Sequence, residues 1–97
     1  MESTEKRIKA VIADGPVGRA PDPYGRKTPS YAVRVTYSLE DGRTLPGTIH
    51  RERKRDVLPA LEEANRKAGQ GAMHAVLHDG RFVMTSTTYG LLAGGLR

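Results

Sequence analysis

The segment YAVRVTYSL, residues 31–39, puts Tyr31, Val33, Val35, Tyr37 and Leu39 at every second position. A period of two is the pattern of a strand with one covered face. Whatever this chain folds into must supply a surface for those side chains. The next residues say where the chain reverses. Asp41-Gly42 favours positive φ, and Arg43-Thr-Leu-Pro-Gly-Thr-Ile-His50 returns as a second strand. A two-residue loop would oppose Ser38 to Leu45 and Arg34 to Ile49, mixing polar with apolar faces. A three-residue loop, Glu40-Asp41-Gly42 with Gly42 left-handed, opposes Tyr37 to Leu45 and Val33 to Ile49, and is expected. The polar face then carries Arg34, Thr36, Thr48 and His50. Pro46 has no N–H for a ladder, which marks its strand as an edge or as bulged.

The spelling Leu-x-Asp-Gly-Arg recurs at residues 77–81, followed by Phe82 and Val83. Here a two-residue Asp79-Gly80 loop opposes Leu77 to Phe82 and Ala75 to Met84, whereas a longer loop opposes Leu77 to Arg81. The shorter, primed turn is expected. With different loop lengths, the repeat reads as one turn chemistry used twice, its arginines exposed strand starters, and not as a duplicated site.

Between the hairpins, residues 56–68 (DVLPALEEANRKA) predict a single helix. Asp56 suits the N-cap, and Pro59 falls in the first turn, where no intrahelical donor is lost. Val57, Leu61, Ala64 and Ala68 form an apolar stripe widened by Leu58, with Glu62–Arg66 and Glu63–Lys67 as supporting pairs and Gly69 as the stop. Ahead of the first hairpin, Lys6–Ala13 is a β-branched strand stopped by Asp14-Gly15-Pro16. Residues 14–30 hold four prolines, three glycines and three basic residues, and predict a long extended loop. Residues 1–5 are expected to fray, and residues 90–97 form a glycine-rich tail.

The order β-β-β-α-β-β predicts an α+β domain: an antiparallel sheet of about five strands with one α-helix packed on one face. An OB-like barrel shares this order and is the alternative. Ninety-seven residues make one domain, 1–97, with one modest core. The chain has no cysteine, which excludes disulfides and thiolate metal sites. No apolar stretch resembles a signal peptide or approaches the roughly 18 residues of a membrane span. A cytoplasmic protein with no membrane partner is expected.

Sixteen Lys+Arg against eleven Asp+Glu give a net charge of +5, which favours a polyanionic partner. The densest run is His50-Arg51-Glu52-Arg53-Lys54-Arg55-Asp56, just before the helix. Helix starts expose unpaired N–H groups and attract anions, and cations placed there add to that field. Arg51, Arg53, Lys54 and Arg55 are therefore candidate phosphate contacts, or else a solvated linker. Arg34 on the polar sheet face and Arg26 and Lys27 in the long loop are supporting candidates. Tyr24 beside them is placed to stack on an unpaired base or to fold back on the sheet edge.

His74 and His78 lie four apart on a strand, about 13 Å, too far to share one ion, so no metal site is expected. No nucleophile elbow, P-loop, dinucleotide fingerprint or HExxH motif is present. Neither catalysis nor a cofactor is expected, although two histidines near arginines leave a metal-independent nuclease as a reading. The leading expectation is a small non-enzymatic accessory protein that binds RNA or DNA through phosphate charge. The rival is a protein-binding adaptor or small inhibitor of a larger complex, acting through an edge strand or the 14–30 loop. Homodimerisation through an edge strand or the tail is compatible with either.

Overall fold

In the computed structural model, which describes residues 4–21 and 30–92, nine elements follow one another. They are β1 (Glu5–Ala13), β2 (Gly18–Ala20), β3 (Ser30–Leu39), β4 (Thr44–Arg51), a 3-10 turn (Lys54–Asp56), α1 (Val57–Gly69), β5 (His74–His78), β6 (Arg81–Met84) and α2 (Ser86–Leu92). Every strand pairing is antiparallel. The expected α+β architecture holds, with six strands and two helices in place of five and one.

β3 organises the sheet, as its alternation requires. One edge pairs with β4 along its length, from Tyr31 opposite Arg51 to Ser38 opposite Thr44. The other edge takes β2 at its start and β1 at its end. Val33, Val35, Tyr37 and Leu39 are buried and Arg34 between them is exposed. Both hairpins adopt the expected register. Tyr37 faces Leu45 and Val33 faces Ile49, with Gly42 at φ +94° closing the first loop. Leu77 faces Phe82 and Ala75 faces Met84 across Asp79 (φ +51°) and Gly80 (φ +78°), the two positive-φ residues of a primed turn.

β1 is bent at a bulge between Ile8 and Ala10, which lets it serve two neighbours. Its first residues pair with β5, and from Ile8 onward it pairs with β3. Beyond the end of β5, the exposed edge of β1 would leave main-chain donors bare. Asn65 of α1 covers one, accepting the Val11 N–H on Oδ1 at 2.9 Å. α1 thus packs on β1 and closes the core, burying Val57, Ala64 and Ala68 against Ile8, Val11 and Met73.

Three details of α1 differ from expectation. Leu58 is 51% exposed and outside the buried stripe. The expected Glu63–Lys67 pair forms, but Arg66 pairs with Glu63 in place of Glu62. The helix runs through Gly69 and stops at Gly71, whose φ of +80° lets the Gly71 N–H reach Ala68 O and the Ala72 N–H reach Lys67 O. That is a Schellman closure, and it needs a left-handed residue at 71.

The barrel alternative is not realised, because the sheet is not closed. Among the described residues, β4 pairs only with β3 and β6 only with β5. Closure would require β4 to meet β6, and the free edge of β4 presents Pro46, which has no N–H to offer.

Candidate binding surfaces

Of the residues singled out from the sequence, Arg53, Lys54 and Arg55 stay together. Arg53 is extended (φ −115°, ψ 135°) and leads into the 3-10 turn formed by Lys54, Arg55 and Asp56. All three cations are exposed, and none has an ion-pair partner among the described residues. Asp56 precedes α1 as its N-cap but makes no side-chain capping bond. Lys54 and Arg55 border an open cleft of about 430 Å³ whose floor is Val17 and the half-exposed Leu58. Cations ring a small apolar surface there.

Arg51 is drawn elsewhere. Its guanidinium donates to the main-chain carbonyls of His50 (2.6 Å) and Leu92 (3.2 Å), at the C-terminal end of α2. A cation at a helix C-terminus complements the carbonyl charge there. Arg34 is exposed on the outer face of β3, opposite Thr48 and alongside His50, as the register requires. Tyr24, Arg26 and Lys27 lie outside the described residues.

A second surface was not foreseen. Between β4 and β6, where the sheet stays open, lies a cleft of about 710 Å³ lined by Leu45, Pro46, Phe82, Val83, Met84 and Tyr89, with Arg81 at its rim. Tyr89 is 64% exposed and Val83 41%. A smaller neighbouring cleft reaches inward over Gly47 to Tyr37. The Tyr37 ring lies directly across Gly47: a Cβ built there would sit 2.1 Å from a ring carbon. Burial pushes the Tyr37 hydroxyl up to about 12.

α2 forms one wall of this seam and is pinned from β5. Thr85 is its N-cap, accepting the Thr88 N–H on its hydroxyl at 3.3 Å. Thr88, fully buried, accepts the His74 N–H at 2.7 Å and the Thr85 hydroxyl at 3.0 Å. The Thr-x-x-Thr spacing was the available signal for this helix. Its threonines and Gly90 read more readily as strand and tail.

His74 and His78 stand at opposite ends of β5, and His78 lies 3.4 Å from Asp79. No group of three or more His, Cys, Asp or Glu residues among the described residues is placed to hold a metal ion. No helix among them is long and apolar enough to cross a membrane. Comparisons with protein-family models, curated proteins and solved structures find no match.

Proposed function

We propose that this chain is a small non-enzymatic accessory protein that binds RNA or DNA, gripping phosphates with Arg53, Lys54 and Arg55. The observation that carries this reading is the exposure of three successive cations at one short turn, without ion-pair partners among the described residues, beside the start of α1, whose N-cap Asp56 makes no side-chain capping bond. Cations held this close repel one another, and an anion relieves that repulsion. The Val17–Leu58 cleft between Lys54 and Arg55 adds an apolar rest for a base or sugar. Arg34 is a separate cation on the outer sheet face, and Arg51 supports the fold behind the turn.

Binding of this type weakens linearly with the logarithm of salt concentration, by roughly 0.7–0.9 per phosphate contact. Three contacts predict a slope of about 2–3. The test is fluorescence anisotropy of a short labelled single-stranded oligonucleotide over a salt series. Replacing Arg53, Lys54 and Arg55 with alanine should flatten the slope, and an unchanged slope in that variant removes the proposal.

A different observation favours a second reading, that of a protein-binding adaptor. The edges of β4 and β6, unpaired among the described residues, flank an apolar cleft with exposed Tyr89 and Val83, the kind of surface that pairs with an extended segment of another protein.

A further inference from the structure

We infer that the seam between β4 and β6 receives an extended peptide segment that alternates large apolar with acidic residues, adding as a strand to the edge of β6. The inference rests on the adaptor reading and names the chemistry of its partner.

The main chain says which edge accepts a strand. In a two-residue primed hairpin the residues flanking the turn, His78 and Arg81, exchange both ladder hydrogen bonds. Alternation then turns Val83 and Thr85 toward β5, and the Thr85 N–H does donate to His74 O at 3.1 Å. The N–H and C=O groups of Phe82 and Met84 therefore point the other way, into the seam. β6 pairs with nothing on that side among the described residues. The opposing edge is poorer. The Leu39 N–H to Arg43 O bond sets the β4 register so that Thr44, Pro46 and Thr48 face outward, and Pro46 supplies no donor. A guest strand finds a complete ladder on β6 and an interrupted one on β4.

The side chains say what the strand carries. Leu45, Pro46, Met84 and Tyr89 make apolar walls, so residues of the guest that face inward are apolar. Among the described residues that line the cleft, the charged one is Arg81. It has no ion-pair partner among the described residues, whereas Arg43, over the Phe82 ring, is already paired with Asp41. A carboxylate one residue from an apolar anchor meets Arg81, because neighbouring side chains on a strand point to opposite faces. The same charge argues against a second copy as the occupant, which would bring Arg81 against its own kind in a chain of net charge +5.

The experiment is a selection from a displayed library of random short peptides against the full chain, followed by affinity measurements on the enriched sequences. Enriched peptides should place Asp or Glu next to Phe, Leu, Ile or Val. Their affinity should fall by about tenfold or more in Val83→Asp, an exposed position whose replacement spares the core. Arg81→Glu should shift the preference toward basic peptides. Amide shifts on binding should fall at Phe82, Val83 and Met84. Enrichment of nothing overturns the adaptor reading and this inference together. Enriched peptides that are basic or uncharged, or that bind Val83→Asp undiminished, overturn the inference and leave an adaptor with a different site. An unchanged amide spectrum of Val83→Asp outside β6 checks that its fold is intact.

Discussion

The guanidinium of Arg43 lies 5.2 Å from the centroid of the Phe82 ring. Each residue follows an Asp-Gly turn, so the two Leu-x-Asp-Gly-Arg stretches, though not copies of one site, meet in space. Asp41 aims the arginine: its carboxylate accepts the Arg43 N–H at 3.0 Å and lies 3.3 Å from Nε. The contact joins the β3–β4 turn to β6 at one end of the open seam. Arg43→Ala should lower stability by about 0.5–1 kcal/mol, the range for an exposed cation over a ring. Arg43→Ala should cost less in an Asp41→Ala background, and denaturant unfolding of the four proteins measures the coupling.

Gly47 is required by its neighbour. The Tyr37 ring occupies the space of a Cβ at 47, so Gly47→Ala must displace it. A loss of about 1–3 kcal/mol is expected from overpacking, read as a lower denaturation midpoint. Truncating the ring in Tyr37→Leu should make the same alanine far less costly.

Tyr37 also gives the molecule an alkaline limit. Its neutral form is favoured by burial, so its folded pKa, about 12, stands above the ordinary value of 10. The folded state therefore holds this proton more tightly than the unfolded chain. The associated stability, of order 2 kcal/mol, is complete below about pH 10 and is lost as pH climbs toward 12. Near-ultraviolet titration should show a late phase of tyrosine ionisation, and Tyr37→Phe should abolish it.

The two glycines that end α1 should respond oppositely. Gly71 holds φ +80°, so Gly71→Ala should cost about 1 kcal/mol. Gly69 is helical with open space around it, and Gly69→Ala should raise stability by about 0.5–1 kcal/mol. Thermal unfolding of the pair decides where the helix stops.

Arg51 and Thr88 should behave as structural residues despite their polar side chains. Thr88→Val leaves the His74 N–H without its acceptor and should cost about 1–3 kcal/mol. Arg51→Met should lower stability by about 1–2 kcal/mol through its bonds to His50 O and Leu92 O, while leaving the salt slope of oligonucleotide binding intact. A slope that falls with Arg51→Met would place that guanidinium among the phosphate contacts.

What was legible in the sequence follows from range. Both hairpin registers could be read because a one-residue slip exposes a whole face, and the alternation of residues 31–39 leaves no second solution. The helix was legible from its stripe. Its true end was not, since Gly69 and Gly71 are indistinguishable until one asks which carbonyls remain to be met. β2 is three residues long and exists because Ser30–Ala32 offers it an edge, which no local pattern announces. α2 owes its helix to Thr88 reaching back to His74, fourteen residues away in sequence. The basic turn was visible as composition. Which of its four cations faces the main chain depends on where α2 ends, a fact of tertiary structure.

Pro46 has a consequence for how these molecules keep company. Identical chains stack without limit only when each offers a strand template on both outer edges of its sheet. By removing one donor midway along β4, the imino ring makes that edge a poor seed, so the seam stays available without condemning crowded copies to aggregate.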